Sequence, residues 1–420
     1  MRKLSVLIFA TLLPLAALSQ TTPEEVQADL NKAGGVYYAY PVTEAQSTPA
    51  PEGYTPFYVS HYGRHGSRYL IGDNDYLWVL ETMRKANDAG ALTPLGQDVL
   101  GRLETVWIEA EGHGGDLSPL GARQHRAIAE RMVQCYPEAF GGEKSISARS
   151  TTVMRCAMSM TAFCDRLKEL NPKLKITHEA SNRYMSYMNY HSPESNAYTG
   201  ADGPWQEEYR KFEQQHTHGE RLVATLFGDS LYVLRNINPY TLMWGFYWIA
   251  VDMQDMETDI SFFDIFEPSE LFDLWQAFNY RFYACDSNYA GNGGLVLANA
   301  KPLLRNILES ADEAIADSSI AATLRFGHDG NLIPLAGLLR LEGCYDSVSD
   351  PYEFYLHFAD FKIAPMAGNV QIVFFRNAQD DIIVKFLLNE RETKVPVGTD
   401  IYPFYHWSDV KAFYTDILSE

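Results

Sequence analysis

The segment Phe57–Tyr69, FYVSHYGRHGSRY, constrains the fold of this chain more than any other. Phe57, Tyr58 and Val59 are strand formers, and Gly53, Tyr54 and Pro56 punctuate the approach to them. The strand pattern is expected to stop near Gly63, because Gly63 and Gly66 bracket a tight segment carrying Arg64, His65, Ser67 and Arg68. Two arginines and a histidine within five residues make poor core and an unusual surface loop. They suit a rigid cradle for a dianion. A guanidinium offers a planar fork of donors that matches phosphate oxygens and stays charged at any ordinary pH. A neutral imidazole is nucleophilic and can carry a phosphoryl group between two half-reactions. Flanking arginines would neutralise the equatorial oxygens, which is most of what a protein offers phosphoryl transfer. The glycines are expected to let backbone approach the anion closely.

Two other readings of the same residues stand beside this one. Arg64 and Arg68 could be solvated loop charges with His65 incidental, since short motifs also arise by chance. His61 and His65 could share a strand face and hold a metal, but no further His, Cys or acidic cluster lies nearby in sequence, and flanking cations oppose a metal.

The chain has 420 residues, room for two domains or one domain with a large insertion. At its start Arg2 and Lys3 precede an apolar run from Leu4 to Leu18, and Ala17-Leu18-Ser19 puts small residues at −3 and −1 before Gln20. Residues 1–19 therefore read as a cleaved secretory signal peptide, which predicts a periplasmic or secreted protein. No later apolar run is long enough for a membrane span. A net charge of −20 argues against nucleic acid and anionic membrane as partners, and it makes the arginine-rich loop stand out as a local anion site. Nothing in the sequence calls for an obligate protein partner. Cys135, Cys156, Cys164, Cys285 and Cys344 allow at most two disulfides, and their spacing fits no zinc site.

Helical periodicity follows the loop over residues 75–90 and again after Thr93-Pro94. Ser118-Pro119 opens a further helix with a hydroxyl N-cap and proline at N1; its His125 falls on the apolar stripe and reads as a packed residue. Ile146–Ala148 is a short strand leading to a helix through Met154 and Leu167. Arg149 and Arg155 stand at the start of that helix, where a cation opposes the dipole but suits an anion site. This alternation predicts an α/β core with a ligand site beyond the carboxyl ends of the strands. Residues 176–308 are rich in aromatics and helical in rhythm, and read as an all-helical insertion between core segments 20–175 and 309–420. The α/β texture returns with a helix over 302–316 and a strand over 321–326 that delivers Gly327-His328-Asp329-Gly330-Asn331. A helix over 332–340, strands over 370–375 and 381–388, and a final helix over 408–418 complete the expected α/β part. The whole is expected to be a mixed sheet sandwiched by helices, with the helical domain inserted.

Four motifs in order carry a resemblance: RHGSR at 64–68, LSPLG at 117–121, RSTTVMR at 149–155 and GHDGN at 327–331. Together they resemble the histidine acid phosphatases, the branch of the histidine phosphatase superfamily that includes phytases and multiple inositol polyphosphate phosphatases. The resemblance implies that His65 is the nucleophile and that Arg64, Arg68, Arg155 and His328 bind the phosphate. It implies that Asp329 protonates the leaving oxygen and then activates water, with Arg149 in a supporting role and no metal or cofactor required. Leu70 occupies the place where the family usually has proline, which costs loop stiffness and no chemistry. Tyr69 after the pentad is similar to the inositol polyphosphate phosphatases, whereas His328-Asp329 suits the phytase and general acid phosphatase pattern.

The expected function is hydrolysis of small phosphomonoesters through a phosphohistidine, with inositol phosphates such as phytate first among substrates. Sugar phosphates or a broad range of monoesters come next, and a binding protein that captures a phosphorylated ligand is the non-enzymatic alternative. A polyphosphorylated substrate needs further cations in the cleft, for which Arg183, Lys211 and Arg281 are candidates.

Overall fold

The structure, a computed structural model, describes residues 21–41, 44 and 46–420; the signal-peptide reading of residues 1–19 lies outside them. Eight strands form one mixed sheet: β1 (Thr55–Arg64), β2 (Ser145–Ser150), β3 (Lys175–Ala180), β4 (Ile320–Gly327), β5 (Asn369–Arg376), β6 (Ile382–Leu388), β7 (Arg391–Thr393) and β8 (Tyr405–His406). Their order is β3-β2-β4-β1-β5-β6-β7, with β8 also paired to β6. The four strands from β3 to β1 run parallel, and β5, β6, β7 and β8 continue the sheet antiparallel.

Period-two alternation sorts the strand side chains onto two buried faces. On one face Leu324, Phe326, Val373 and Phe375 pack with Ile128, Met132, Phe163 and Leu167 of the helices Pro119–Cys135 and Met154–Leu170. On the other, Tyr58, Tyr62, Phe374 and Phe386 meet Leu304 and Ile307 of helix Lys301–Ala316 and Tyr414 of helix Trp407–Ser419. This is the expected α/β sandwich with helices on both faces. Strand β1 runs through Gly63 to Arg64, further than its glycine suggested, because both of its edges are paired there: Gly63 lies opposite Phe326 on one side and Asn369 on the other.

The helical part differs in outline from residues 176–308. Lys175–Ala180 form strand β3 at the edge of the sheet, and the named elements from Asn182 to Ala300 are all helical. Helix Lys301–Ala316 packs on β1 and β4. Helices Asp73–Asp88 and Pro94–Ala110, from before the second strand, pack against Pro239–Asp252 and Glu220–Leu226 and so join the helical layer. Helix Pro239–Asp252 is apolar nearly all round, as a helix enclosed by others must be. No helix of the described residues is long and apolar enough to cross a membrane.

Candidate active site

Parallel pairing places Arg64, the last residue of β1, opposite Gly327, the last of β4; Ser150, the last of β2, stands opposite Phe326. Three strands thus end together, and the charged segments that follow them converge at their carboxyl ends. The loop after β1 is pinned from three sides. The His65 amide donates to the Gly327 carbonyl at 2.9 Å, the Ala367 amide donates to the His65 carbonyl at 2.8 Å, and the Gly66 amide donates to Ser159 Oγ at 3.1 Å.

The His65 ring is buried, and its Nδ1 lies 2.9 Å from the Gly66 carbonyl. A carbonyl can only accept, so Nδ1 carries the proton and Nε2 keeps its lone pair free. Burial, reinforced by Arg64, Arg68, Arg155 and His328, holds the imidazole well below its usual range, so it is neutral in acid as well. The His328 ring stands edge-on to it, 5.7 Å between centroids. His328 Nε2 is 3.1 Å from Thr151 Oγ1, and burial pushes this second imidazole down to about 4, Arg155 helping against the pull of Asp329.

Arg64 is wholly buried; it donates to the carbonyls of Val36 and Ala364 and lies 2.8 Å from Asp329 Oδ2 in an ionic contact without hydrogen-bond alignment. Asp329 opens helix Asp329–Leu338, and its Oδ1 accepts from the Gly330 amide at 2.8 Å. The helix begins three residues earlier than the periodicity suggested, which sets the carboxylate at the positive end of the dipole. Burial alone would raise this carboxyl; Arg64, His328, the Gly330 amide and Arg68 outweigh it and hold the group below the usual range. Arg68 lies over the Tyr37 ring at 4.6 Å and donates to the Tyr69 carbonyl at 2.8 Å. Arg155, in the first turn of its helix, is half-buried and reaches the Gly115 carbonyl at 3.4 Å. Arg149 belongs to β2 rather than to that helix. It turns away to the Tyr187 hydroxyl at 2.9 Å and the Tyr184 ring at 4.6 Å.

The glycines of the loop serve packing more than anion approach. A Cβ on Gly66 would lie 2.5 Å from the Gly121 carbonyl oxygen, and one on Gly121 would lie 2.2 Å from that of Ser67. RHGSR and LSPLG are therefore two halves of one backbone contact. His61 and His125 are buried among Phe163 and Phe326, His61 pointing away from the cleft into the core, so His61 and His65 do not make a metal pair. All five cysteines are free.

Sequence reading missed the support beneath the loop. Ser67 Oγ donates to Asp255 Oδ1 at 2.5 Å and accepts from Gln124 Nε2 at 2.8 Å, while Gln124 Oε1 accepts from the Ser67 amide at 2.9 Å. Tyr76 donates to Asp252 and accepts from the Leu70 amide. Both aspartates are fully buried, and burial pushes Asp252 up to about 7; burial and the neighbouring Asp252 push Asp255 well above the usual carboxylate range too. In the sequence they look like ordinary members of an acidic helix end. Tyr37 carried no signal either, although Thr151 lay inside a motif already noted.

A cleft of about 330 Å³ opens from Arg68 and Asp329 toward the helical layer, walled by Tyr37, Trp248, Phe278 and Phe282. Of the three cations proposed for it, Arg281 lines it. Lys211 is paired with Glu207 at 2.7 Å on the exposed helix 206–216, and Arg183 is exposed beside Tyr184. Among the described residues no group of three or more His, Cys, Asp or Glu is arranged to hold a metal ion.

A buried histidine with three arginines around it and a carboxylate paired to one of them, at the ends of parallel strands, makes a compact cationic pocket of the kind that suits a phosphate group. The profile of the histidine phosphatase superfamily (branch 2) matches residues 64–389. The chain belongs to that family and is a histidine acid phosphatase. Its fold is similar to that of a Bifidobacterium longum multiple inositol polyphosphate phosphatase solved with inositol hexasulfate, with a TM-score of 0.76 at 18% identity over 91% of this chain and 97% of that one. The same Bifidobacterium protein solved with phosphate gives 0.77 at 17% identity over the same shares. A phytase from D. castellii gives 0.66 at 16% identity over 93% of this chain and 85% of that one. A comparison with curated proteins finds no match.

Proposed function

We propose that this phosphatase hydrolyses phosphate monoesters, inositol phosphates first among them, through a phosphohistidine on His65. The observation that carries the proposal is the hydrogen bond from His65 Nδ1 to Gly66, which leaves Nε2 as the free nitrogen among three arginines. Nε2 attacks phosphorus as the ester oxygen leaves, with Arg64, Arg68, Arg155 and His328 neutralising the equatorial oxygens. Asp329 gives its proton to the leaving oxygen. Its carboxylate then takes a proton from the water that attacks the phosphohistidine, which releases phosphate and restores both groups. The acid must enter the cycle protonated although Arg64 holds it ionised at rest. An incoming phosphate draws on the same guanidinium and sets negative charge beside the carboxyl, both of which raise its proton affinity. The inositol phosphate assignment is supported by the likeness in fold to proteins described as inositol polyphosphate phosphatase and phytase. Export follows from the leader-like residues 1–19.

The test is phosphate release by purified protein, in EDTA, from p-nitrophenyl phosphate and from inositol phosphates at acidic to neutral pH, alongside His65→Ala. Release by the wild type, an acid-labile phosphoryl label on it, and neither in the variant are expected. An active His65→Ala enzyme would sink the mechanism.

A further inference from the structure

The vestibule between the phosphate-binding loop and the helical layer has a composition that bears on what the ester carries. Its wall is a run of rings in mutual contact: Tyr37 and Trp248 are 5.8 Å apart between centroids, Trp248 and Phe278 4.8 Å, and Phe278 and Phe282 5.0 Å. Its charged lining consists of Arg68, Arg281, Asp75 and Asp329. Arg68 is committed to the phosphate that reacts, and the two carboxylates repel further anions. Among the described residues of this lining one cation is left over. Arg281 is exposed, lies 5.9 Å from the Phe282 ring and forms no close ion pair among the described residues; its charge is felt by Asp286, whose carboxyl burial and Asp329 push up to about 7, so its donors remain open to a ligand. A substrate carrying five further phosphates would set most of them against aromatic rings or carboxylates in a protein already strongly negative. A ring whose C–H face lies on the aromatic wall, with one more phosphate turned to Arg281, fits every feature of the lining.

We infer that this cleft is built for a ring-bearing phosphate ester with one additional phosphate, seated on Arg281, in preference to a fully phosphorylated inositol. The inference rests on the phosphatase reading above and narrows its substrate class. A volume of about 330 Å³ suits such a ligand, at the small end of the usual range for small-molecule sites.

The experiment is a comparison of kcat and KM for p-nitrophenyl phosphate, inositol monophosphate, a set of inositol bisphosphate isomers and inositol hexakisphosphate. The best bisphosphate is expected to exceed both the monophosphate and the hexakisphosphate in kcat/KM. Arg281→Ala should lower the bisphosphate-to-monophosphate ratio about tenfold, the loss of one charge-assisted contact, and should do so through KM. Arg281→Lys should restore much of it. A wild-type enzyme that prefers the hexakisphosphate, or a ratio unmoved in Arg281→Ala, overturns the inference while leaving the phosphatase reading intact. Failure to release phosphate even from p-nitrophenyl phosphate removes that reading, and this one with it.

Discussion

Arg64 and Asp329 lie 2.8 Å apart at the ends of neighbouring parallel strands, the arginine fully buried and the aspartate 23% exposed. Arg64 favours the ionised carboxylate, so the acid role proposed for Asp329 requires an arriving phosphate to raise its proton affinity. Asp329→Asn keeps the shape and removes the proton. Inositol phosphates, whose leaving alkoxide needs protonation, are expected to slow by about 10²- to 10⁴-fold. p-Nitrophenyl phosphate, whose leaving group departs unaided, should lose far less. Steady-state kcat on both substrates is the measurement, and equal losses would remove Asp329 as the acid.

The second prediction concerns the acid limb of activity. His65 must be unprotonated to attack, and its imidazole is held well below 6.5 by burial and by the cations around it. Protonation therefore sets in only well below pH 6.5, and kcat/KM for p-nitrophenyl phosphate is expected to persist into clearly acidic solution. An acid limb that begins near pH 6.5 and falls tenfold per unit would show an ordinary histidine and contradict the assignment.

Packing of the loop supplies the third. The contact between Gly66 and Gly121 leaves no room for a methyl group, and the atoms it would strike are backbone of helix Pro119–Cys135 rather than a mobile side chain. Gly66→Ala must push the cradle off that helix. Strain of about 2 kcal/mol is expected, and activity should fall by about 10²-fold from a displacement near 1 Å. Thermal melting and kcat/KM measure the two effects. A variant with wild-type kinetics would mean that the loop tolerates the shift.

These elements differ in how far the sequence declared them. That Arg64, His65 and Arg68 would be brought together with His328 and Asp329 was legible because two charged strand-to-loop junctions in one sheet converge, while the roles expected of His328 and Asp329 came from the resemblance. The helix starts at Thr93-Pro94 and Ser118-Pro119 were legible because capping is local: the Thr93 and Ser118 hydroxyls accept from the amides three residues on. Strand β3, KITHEA, was not, since an edge strand with little burial carries no apolar alternation to read. The role of Asp252 and Asp255 was hidden for a different reason. Helical periodicity assigns a face, but what meets that face, here the Ser67–Tyr76 segment, is decided by tertiary packing. Arg281 could be separated from Arg183 and Lys211 only by the turn of helix Pro268–Asp286 toward the cleft.

The last prediction follows from the two histidines buried behind the loop. The rings of His61 and His125 pack on Phe163 and Phe326, and neither nitrogen of either makes a hydrogen bond of ordinary geometry. Burial pushes both down to about 3. In the unfolded chain each takes up a proton near pH 6.5, so between pH 6.5 and 3 the unfolded state binds more protons than the folded one. Stability from each histidine is therefore full above pH 6.5 and is lost as the pH falls through that window, at about 1.4 kcal/mol per pH unit. Buried carboxyls act in the opposite sense: Asp252 and Asp286 rise to about 7 and Asp360 to about 6, which favours the folded state on acidification. The slope of the whole protein mixes the two, but a difference between wild type and variant isolates the histidine. His125→Leu alters packing at every pH, yet removes the proton uptake on unfolding. Urea unfolding at pH 7 and pH 5 should show the stability gap between wild type and His125→Leu shifting in favour of the variant by about 2 kcal/mol at the lower pH. A gap that stays constant would mean that His125 is protonated in the fold or finds a partner there, and His61→Leu provides the independent repeat.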